Sequence, residues 1–267
     1  MIFDGKAEAE KIAQNLKDRL EVCKCHPVLG IVLVGEEAAN QKYVAAKTTQ
    51  AKSLGIRVEL YKLKQLDQGA VGEKLKTWAE NVKISGIMVQ LPLAGASQIQ
   101  TEQCLKLIPS NKDVDGLNPR NQQQIAWGKE TFLPATVAAV LHIAALSPAV
   151  LHKDDLWAVV GAKGNVGRPL VAKLKQLSRR VLELNAGADL AALRQCPVVI
   201  SCTGSPGLIT GKHLTLGVTA IDVGFPRGDF DFASCAPKAA FITPVPGGVG
   251  PLTVIKLLEN TLTACSC

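Results

Sequence analysis

Apolar residues along this chain fall into two kinds of pattern. Continuous runs stand at 28–34 (Val-Leu-Gly-Ile-Val-Leu-Val), Ile84–Val89 and Trp157–Val160. A run without polar alternation predicts a strand buried on both faces, as in a parallel sheet. Further strands are predicted at Ile56–Tyr61, Val181–Leu184, Val198–Ser201 and Thr219–Val223. Helices are predicted over Asn40–Leu54, with Gly55 as the stop, and over Gly72–Asn81, Val137–Leu146 and Pro169–Leu177. The last predicted helix, Leu252–Thr263, carries Leu252, Ile255, Leu258 and Leu262 at helical spacing. Strand and helix alternate, which implies parallel βαβ units. Residues 109–120 are turn-rich and mark a loop or boundary.

Composition narrows this further. At about 100–200 residues per domain, 267 residues make one large or two small domains. Hydrophobic residues at 47% and charged residues at 20% exclude intrinsic disorder. The net charge of +7 and a pI near 9.0 favour anionic partners: nucleic acid, a phosphorylated cofactor or a polycarboxylate. Nucleic acid requires a basic stripe, whereas these basic residues are scattered, with Arg179-Arg180 the one Arg pair. The N-terminal Met1-Ile-Phe-Asp-Gly-Lys6 lacks the order of a signal peptide. The stretch Val137–Leu151, broken by His142, Ser147 and Pro148, falls short of the ~20 residues of a membrane span. The expectation is a cytoplasmic protein with no membrane partner. The eight cysteines include Cys23-x-Cys25 and Cys265-x-Cys267, but no zinc spacing, so no metal is expected and the thiols are read as reduced.

Four segments carry candidate chemistry. Gly161-x-x-Gly164-x-x-Gly167 lies between a strand and a helix, the context of a dinucleotide loop. Its candidate cofactor residues are Gly161, Ala162, Lys163, Gly164, Asn165, Val166 and Gly167. The next strand ends in Leu184-Asn185-Ala186, with neither an acidic nor a basic residue where ribose recognition is usually decided, and Glu183 one residue earlier. Tyr43 and Lys47 stand at i,i+4 on one helix face, a spacing that fits either a cleft general acid–base or a solvated lysine. Asp113-Val-Asp115-Gly116 lacks the later ligands of a calcium loop; it is an Asp-rich turn, or Asp115 accepts from a heterocycle's amino group. Residues 243–251 place three glycines among prolines, as an anion-binding loop or a hinge. No G-x-S-x-G and no P-loop occurs, so hydrolase-triad and kinase readings lack support.

Taken in order, Tyr43-Val-Ala-Ala-Lys47, Gly86-Ile-Met-Val-Gln-Leu-Pro-Leu93, Lys112-Asp-Val-Asp-Gly-Leu117, Val159-Val-Gly161 through Gly167-Arg-Pro169, Ile221-Asp-Val-Gly224 and Ile242–Pro251 closely resemble one family. It is the bifunctional methylenetetrahydrofolate dehydrogenase/methenyltetrahydrofolate cyclohydrolase family, and the resemblance spans almost the whole chain. It implies two α/β domains around a central cleft: residues 1–135, completed by a C-terminal helix over 250–267, and a Rossmann-like dinucleotide domain over 136–249. It implies Lys47 as the catalytic residue, Tyr43 stacking on or positioning the folate, Gln90 bonding Lys47, and Asp115 binding the pterin-like ring. Leu91, Pro92, Pro246, Gly247 and Gly248 would line the substrate site. Asn185, Ala186, Thr203 and Phe225 would complete the cofactor set, with NADP or NAD as cofactor. The implied partners are tetrahydrofolate derivatives, polyglutamated forms included, and a second copy in a homodimer.

The chain departs from the family pattern at three places. The usual Gly-Arg-Ser reads Gly161-Ala162-Lys163, Asn185-Ala186 replace the usual Ser or Arg, and Pro-Cys-Thr-Pro reads Pro134-Ala135-Thr136-Val137. Lys163 offers a point charge, not a bidentate fork. The expectation is a weakened NADP preference, with NAD serving equally or better. The competing readings are a cyclohydrolase that has lost dehydrogenase activity and a non-catalytic folate- or nucleic-acid-binding relative. A shikimate dehydrogenase of the same build is excluded only by the folate-specific segments.

Overall fold

The computed structural model describes residues 1–148, 152 and 154–265. The end of the Val137–Leu151 stretch and Cys267 of the second cysteine pair lie outside the described residues. Among the described residues, the strands form two parallel sheets. The first comprises β1 (Val28–Val34), β2 (Arg57–Leu63) and β3 (Gly86–Val89) in the order β2-β1-β3. The second comprises β4 (Leu156–Val160), β5 (Arg180–Leu184), β6 (Val198–Ser201), β7 (Val218–Asp222) and β8 (Ala239–Ile242), ordered β5-β4-β6-β7-β8. The helices are α1 (Gly5–Cys23), α2 (Ala38–Ser53), α3 (Gln68–Glu80), α4 (Gln98–Lys106), α5 (Pro119–Ile125), α6 (Ala135–Ala145), α7 (Gly167–Gln176), α8 (Phe232–Cys235) and α9 (Val249–Cys265).

The apolar runs became the central strands. Every residue of β1 is buried, while the edge strand β2 alternates exposed and half-buried positions. Trp78 of α3 lies directly on β1: a Cβ at Gly30 would stand 2.7 Å from its ring. The second sheet buries β6 and β7 completely, and its core includes Ala158, Val160, Val199, Ala220 and Phe230.

Several elements differ from the sequence reading. β2 extends to Leu63 because its ladder with β1 runs through Val34↔Leu63. β3 begins at Gly86, since Ile84 is used in a turn onto Asn81. α1, α4, α5, α8 and β8 were not predicted. α1 buries only a narrow stripe that includes Ile12, Ala13 and Leu16 among charged positions, and starts at Asp4, whose carboxylate accepts from the Lys6 and Ala7 N–H groups. β8 pairs with β7 across a register shift at Val218/Thr219.

The chain divides into two compact units. One contains Glu10–Gln124, Lys129–Ala135 and Val254–Cys267; the other contains Met1–Ala9, Ile125–Gly128 and Thr136–Thr253. These bounds differ from the expected 1–135 and 136–249 chiefly at the N-terminus. Ile2 bridges Ile242, Gly5 N–H donates to the Gly247 carbonyl at 2.9 Å, and Phe3 packs on Phe241. Those bonds hold the first residues in the unit of the five-stranded sheet. The terminal helix α9 changes unit after Thr253.

Candidate active site

In a parallel sheet, ligands bind beyond the carboxyl ends of the strands, where the strand order reverses direction. The order β2-β1-β3 puts that point between β1 and β3. α2 follows β1, and its buried residues are Asn40, Val44, Lys47 and Ala51. Lys47 therefore occupies the inward stripe of its helix and is only 3% exposed. The solvated-lysine alternative is excluded by this burial.

A buried ammonium needs partners. Lys47 Nζ donates to Gln90 Oε1 at 3.0 Å, meets Met88 Sδ at 3.7 Å, and lies 4.4 Å from the centre of the Tyr43 ring. Gln90 directly follows β3, and its amide orientation follows from a second bond: Nε2 donates to the Leu91 carbonyl at 2.8 Å, leaving Oε1 for the lysine. Met88 was not singled out from the sequence. It stands two residues before Gln90, and the strand period of two would have placed both on one face. The Leu91-Pro92 peptide bond is cis.

Asp115 is half-buried on the turn after the β3–α4 segment and acts on Lys47 through its charge. Burial pushes the Lys47 ammonium below the ordinary lysine value, and the Asp115 charge opposes that fall. Burial likewise raises the Asp115 carboxyl, against the pull of Lys47. The result is a cation held in an apolar pocket with one neutral acceptor and one nearby carboxylate, a setting that makes its proton available. Tyr43, Lys47, Gln90, Leu91, Pro92 and Asp115 all lie in one unit; Pro246, Gly247 and Gly248 lie in the other. Gly248 is buried, and a Cβ there would stand 2.8 Å from that of Thr243; Gly247 has φ +102°.

The five-stranded sheet has its reversal between β4 and β6. The loop from Gly161 leaves β4 and leads into α7. Gly161 has φ +87°, and a Cβ there would stand 2.8 Å from the Cys202 carbonyl oxygen. A Cβ at Gly167 would collide with the Gly161 carbonyl. Gly164 N–H donates to the Gly161 carbonyl at 3.0 Å, closing the turn. Asn165 and Val166 complete the approach to the helix, in whose first turn Arg168 N–H donates to the Gly164 carbonyl at 3.0 Å and Pro169 carries no N–H. This backbone cradle fits the pyrophosphate of a dinucleotide.

The side chains around the cradle have other engagements. Asn185 Oδ1 accepts from the Lys163 N–H at 2.9 Å, tying the loop to the end of β5. Glu183, one residue before the end of β5, is exposed and paired with Lys175 at 2.5 Å. Ala162 is buried, Lys163 and Ala186 are exposed. Thr203 N–H donates to Asp229 Oδ2 at 2.7 Å, and Ser201 Oγ donates to the same oxygen. Phe225 is 56% exposed beyond β7. Ala135, in place of the family's cysteine, is fully buried at the start of α6. Among the described residues, no helix is long and apolar enough to cross a membrane, and no group of three or more His, Cys, Asp or Glu is placed to hold a metal.

Comparison with known proteins agrees with both halves of this geometry. Residues 3–115 match the tetrahydrofolate dehydrogenase/cyclohydrolase catalytic domain, and residues 134–267 match the NAD(P)-binding domain of the same family. The bifunctional protein FolD of Nautilia profundicola is 36% identical over 276 residues, covering 98% of this chain and 96% of that protein. The crystal structure of the bifunctional FolD methylenetetrahydrofolate dehydrogenase/cyclohydrolase from Campylobacter jejuni superposes with a TM-score of 0.92 at 32% identity, covering 99% of this chain and 98% of that one. The Trypanosoma brucei enzyme, solved with NADP and an inhibitor, gives a TM-score of 0.92 at 30% identity, with 99% and 96% covered. With both of its domains matched and relatives aligned along nearly its full length, this chain belongs to the tetrahydrofolate dehydrogenase/cyclohydrolase family.

Proposed function

We propose that the chain catalyses both reactions of its family: oxidation of 5,10-methylenetetrahydrofolate to the 5,10-methenyl cation, then hydrolysis to 10-formyltetrahydrofolate. The observation that carries this reading is Lys47, a lysine buried on the inner face of α2 with Gln90 as its acceptor. A nicotinamide dinucleotide, NADP or NAD, supplies the hydride acceptor when bound. The cradle Gly161–Gly167 holds its pyrophosphate, with Thr203 and Phe225 on the loops after β6 and β7.

The chain's own residues then move protons. Water adds to the methenyl carbon, and neutral Lys47 Nζ takes the proton that water loses. As the carbon–N5 bond breaks, the ammonium returns that proton to N5, and the hydroxyl's remaining proton leaves to bulk water as the formyl C=O forms. One group serves as base and then acid, so its proton must come and go near neutral pH. Burial supplies that tuning by lowering the lysine, and Gln90 Oε1 keeps Nζ aimed while it changes charge. Tyr43 packs against the folate ring, and Asp115 accepts from its amino group. Leu91 and Pro92 contribute surface to the same substrate.

Two further readings belong to the same proposal. The chain takes both cofactors with little preference: at the end of β5 Glu183 is committed to Lys175 and Asp189 to the Ala191 N–H rather than offered to a ribose diol, while Lys163 would serve the 2′-phosphate as a point charge. The anionic partner matching the +7 charge is the glutamate or polyglutamate tail of folate rather than nucleic acid. A homodimer is supported by the family resemblance.

Paired assays test the function: reduction of NADP and of NAD with methylenetetrahydrofolate, and methenyl hydrolysis in wild type and Lys47→Ala. The expected result is reduction of both cofactors and loss of hydrolysis in the variant. Hydrolysis without any cofactor reduction favours the cyclohydrolase-only alternative, and turnover of neither substrate overturns the reading.

A further inference from the structure

Lys47 and Tyr43 are carried by a helix and Gln90 by the end of a strand, but Asp115 is carried by a turn. Its position depends on what holds that turn. Lys112, at one end, sends Nζ to the carbonyls of Trp78 (3.2 Å), Ala79 (2.9 Å) and Asn81 (2.8 Å) at the end of α3. These are carbonyls a helix terminus leaves unsatisfied, at the negative end of its dipole. Asp113, 1% exposed, accepts from Leu117 N–H (3.2 Å), Asn118 N–H (2.7 Å) and Asn121 Nδ2 (2.9 Å). Its carboxylate thus gathers the far side of the turn onto its near side.

The third grip comes from the other end of the chain. Asn260 on α9 donates Nδ2 to the Val114 carbonyl at 2.8 Å and to the Leu133 carbonyl at 3.2 Å. Val114 is the residue immediately before Asp115. Its side chain is fully buried against Gly86, where a Cβ would stand 2.6 Å from Val114 Cγ1. Gly116, immediately after, has φ +68°, and a Cβ there would stand 2.6 Å from the Pro134 nitrogen. Asp115 is therefore clamped on both sides by packing, and the clamp is locked by three side-chain hydrogen-bond sets, from Lys112, Asp113 and Asn260.

We propose that Asp113 and Asn260 are positioning residues for Asp115: they set where its carboxylate stands without touching the substrate, one from within the turn and one from the terminal helix. The proposal rests on the assignment of Asp115 to the folate site. Misplacing a reacting or binding group by about 1 Å can cost about 10²-fold in rate, which makes such residues visible in kinetics. Burial raises the Asp113 carboxyl to about 6. The charged form that accepts all three bonds is therefore present above that pH.

The test measures kcat and KM for 5,10-methenyltetrahydrofolate hydrolysis in Asn260→Leu, Asp113→Asn, Asp115→Asn and the two double variants that include Asp115→Asn. Thermal melting and NADP binding report on the fold. Positioning predicts that Asn260→Leu and Asp113→Asn each lower kcat/KM at least tenfold, with the same division between kcat and KM as Asp115→Asn. It predicts little further loss once Asp115 is already Asn, because the singles act through that carboxylate. Asn260→Gln, which keeps the amide donor on a longer arm, recovers part of the loss and replaces Asn260→Leu if the latter does not fold. Losses that multiply in the doubles, or a fall in kcat alone that tracks the folded fraction, overturn the proposal. If Asp115→Asn itself leaves kcat/KM unchanged, the assignment of Asp115 has failed, and the proposal falls with it.

Discussion

The two sheets reverse strand direction in the same way, β2-β1-β3 in one and β5-β4-β6 in the other, and the two crevices are furnished in opposite ways. The first is furnished with side chains: Lys47, Gln90, Met88 and Tyr43 converge on one buried nitrogen. The second is furnished with backbone: Gly161 and Gly167 admit no Cβ, and the loop between them presents peptide groups. Two of the chain's three departures from the family pattern, at Ala162-Lys163 and Asn185-Ala186, fall on side chains of the second crevice, while its closely packed glycines remain. A proton-transfer site depends on the identity of individual side chains. A phosphate cradle depends on the path of the main chain and tolerates exchange at positions that only decorate it.

Five measurements press on that contrast. The largest effect is expected from Lys47→Met, which keeps the packing and removes the amine. Hydrolysis should fall by about 10²–10⁴-fold, the range for a lost general acid–base, with NADP affinity unchanged. A parallel loss of NADP binding would break the separation of the two crevices.

Next comes the pH dependence of stability, read as the difference between wild type and Asp113→Asn. The Asp113 carboxyl titrates near 6 in the fold against an ordinary 3.8, so the folded state binds the proton more tightly. Its contribution is fully present below the unfolded value and is lost as pH rises through the folded one, on the order of 3 kcal/mol in all. Melting curves of the two proteins should therefore diverge between about pH 4 and 6; parallel curves would refute this. The charge that braces Asp115 is thus held at a cost in stability.

Gly167→Ala tests the backbone crevice. The added Cβ meets the Gly161 carbonyl, and overpacking of this kind costs ~1–3 kcal/mol. NADP and NAD binding should weaken together at least tenfold by calorimetry, while methenyl hydrolysis stays within twofold. Gln90→Leu should cost about 1–3 kcal/mol in transition-state stabilisation, because it strands a buried donor. With its acceptor gone the ammonium is less favoured, so Lys47 falls further and the pH profile of hydrolysis moves to lower pH. A shift toward higher pH would contradict the bond at 3.0 Å.

The smallest effect belongs to Lys163→Ala. An exposed point charge contributes about 0.2–1 kcal/mol, so the NADP dissociation constant should rise a few-fold and the NAD constant should not move. Equal changes for both cofactors would remove Lys163 from any role at the 2′-phosphate.

Much of this was legible in the residues. The fully apolar runs became β1, β3 and β4, and the glycine spacing after β4 became a strand–loop–helix turn, because burial on both faces and absence of Cβ are written directly in residue type. α1 and β8 were not legible. α1 has too few apolar positions to stand out from its charges, and β8 is a four-residue strand whose pairing comes from β7 rather than from its own pattern. Gln90 could be named as a partner of Lys47 only through the family resemblance, since nothing in the spacing of residues 47 and 90 brings them together, and Met88 was not named at all.

The amino-acid sequence by itself determined which segments are strands and helices, where the main chain must lack a Cβ, and which side chains are able to exchange protons. Those are local properties, set by periodicity, sterics and functional groups. Only the tertiary structure decided that Lys47 faces inward, that Glu183 is turned to Lys175 instead of a ribose, that Met1–Ala9 packs with the five-stranded sheet, and that Asn260 reaches the turn of Asp115. Each of these depends on which surfaces meet once strands are ordered in a sheet. The lysine shows the difference most clearly: its helix position was readable, but its altered proton affinity comes from its burial against Met88 and Gln90 at β3, which the chain's folding decides.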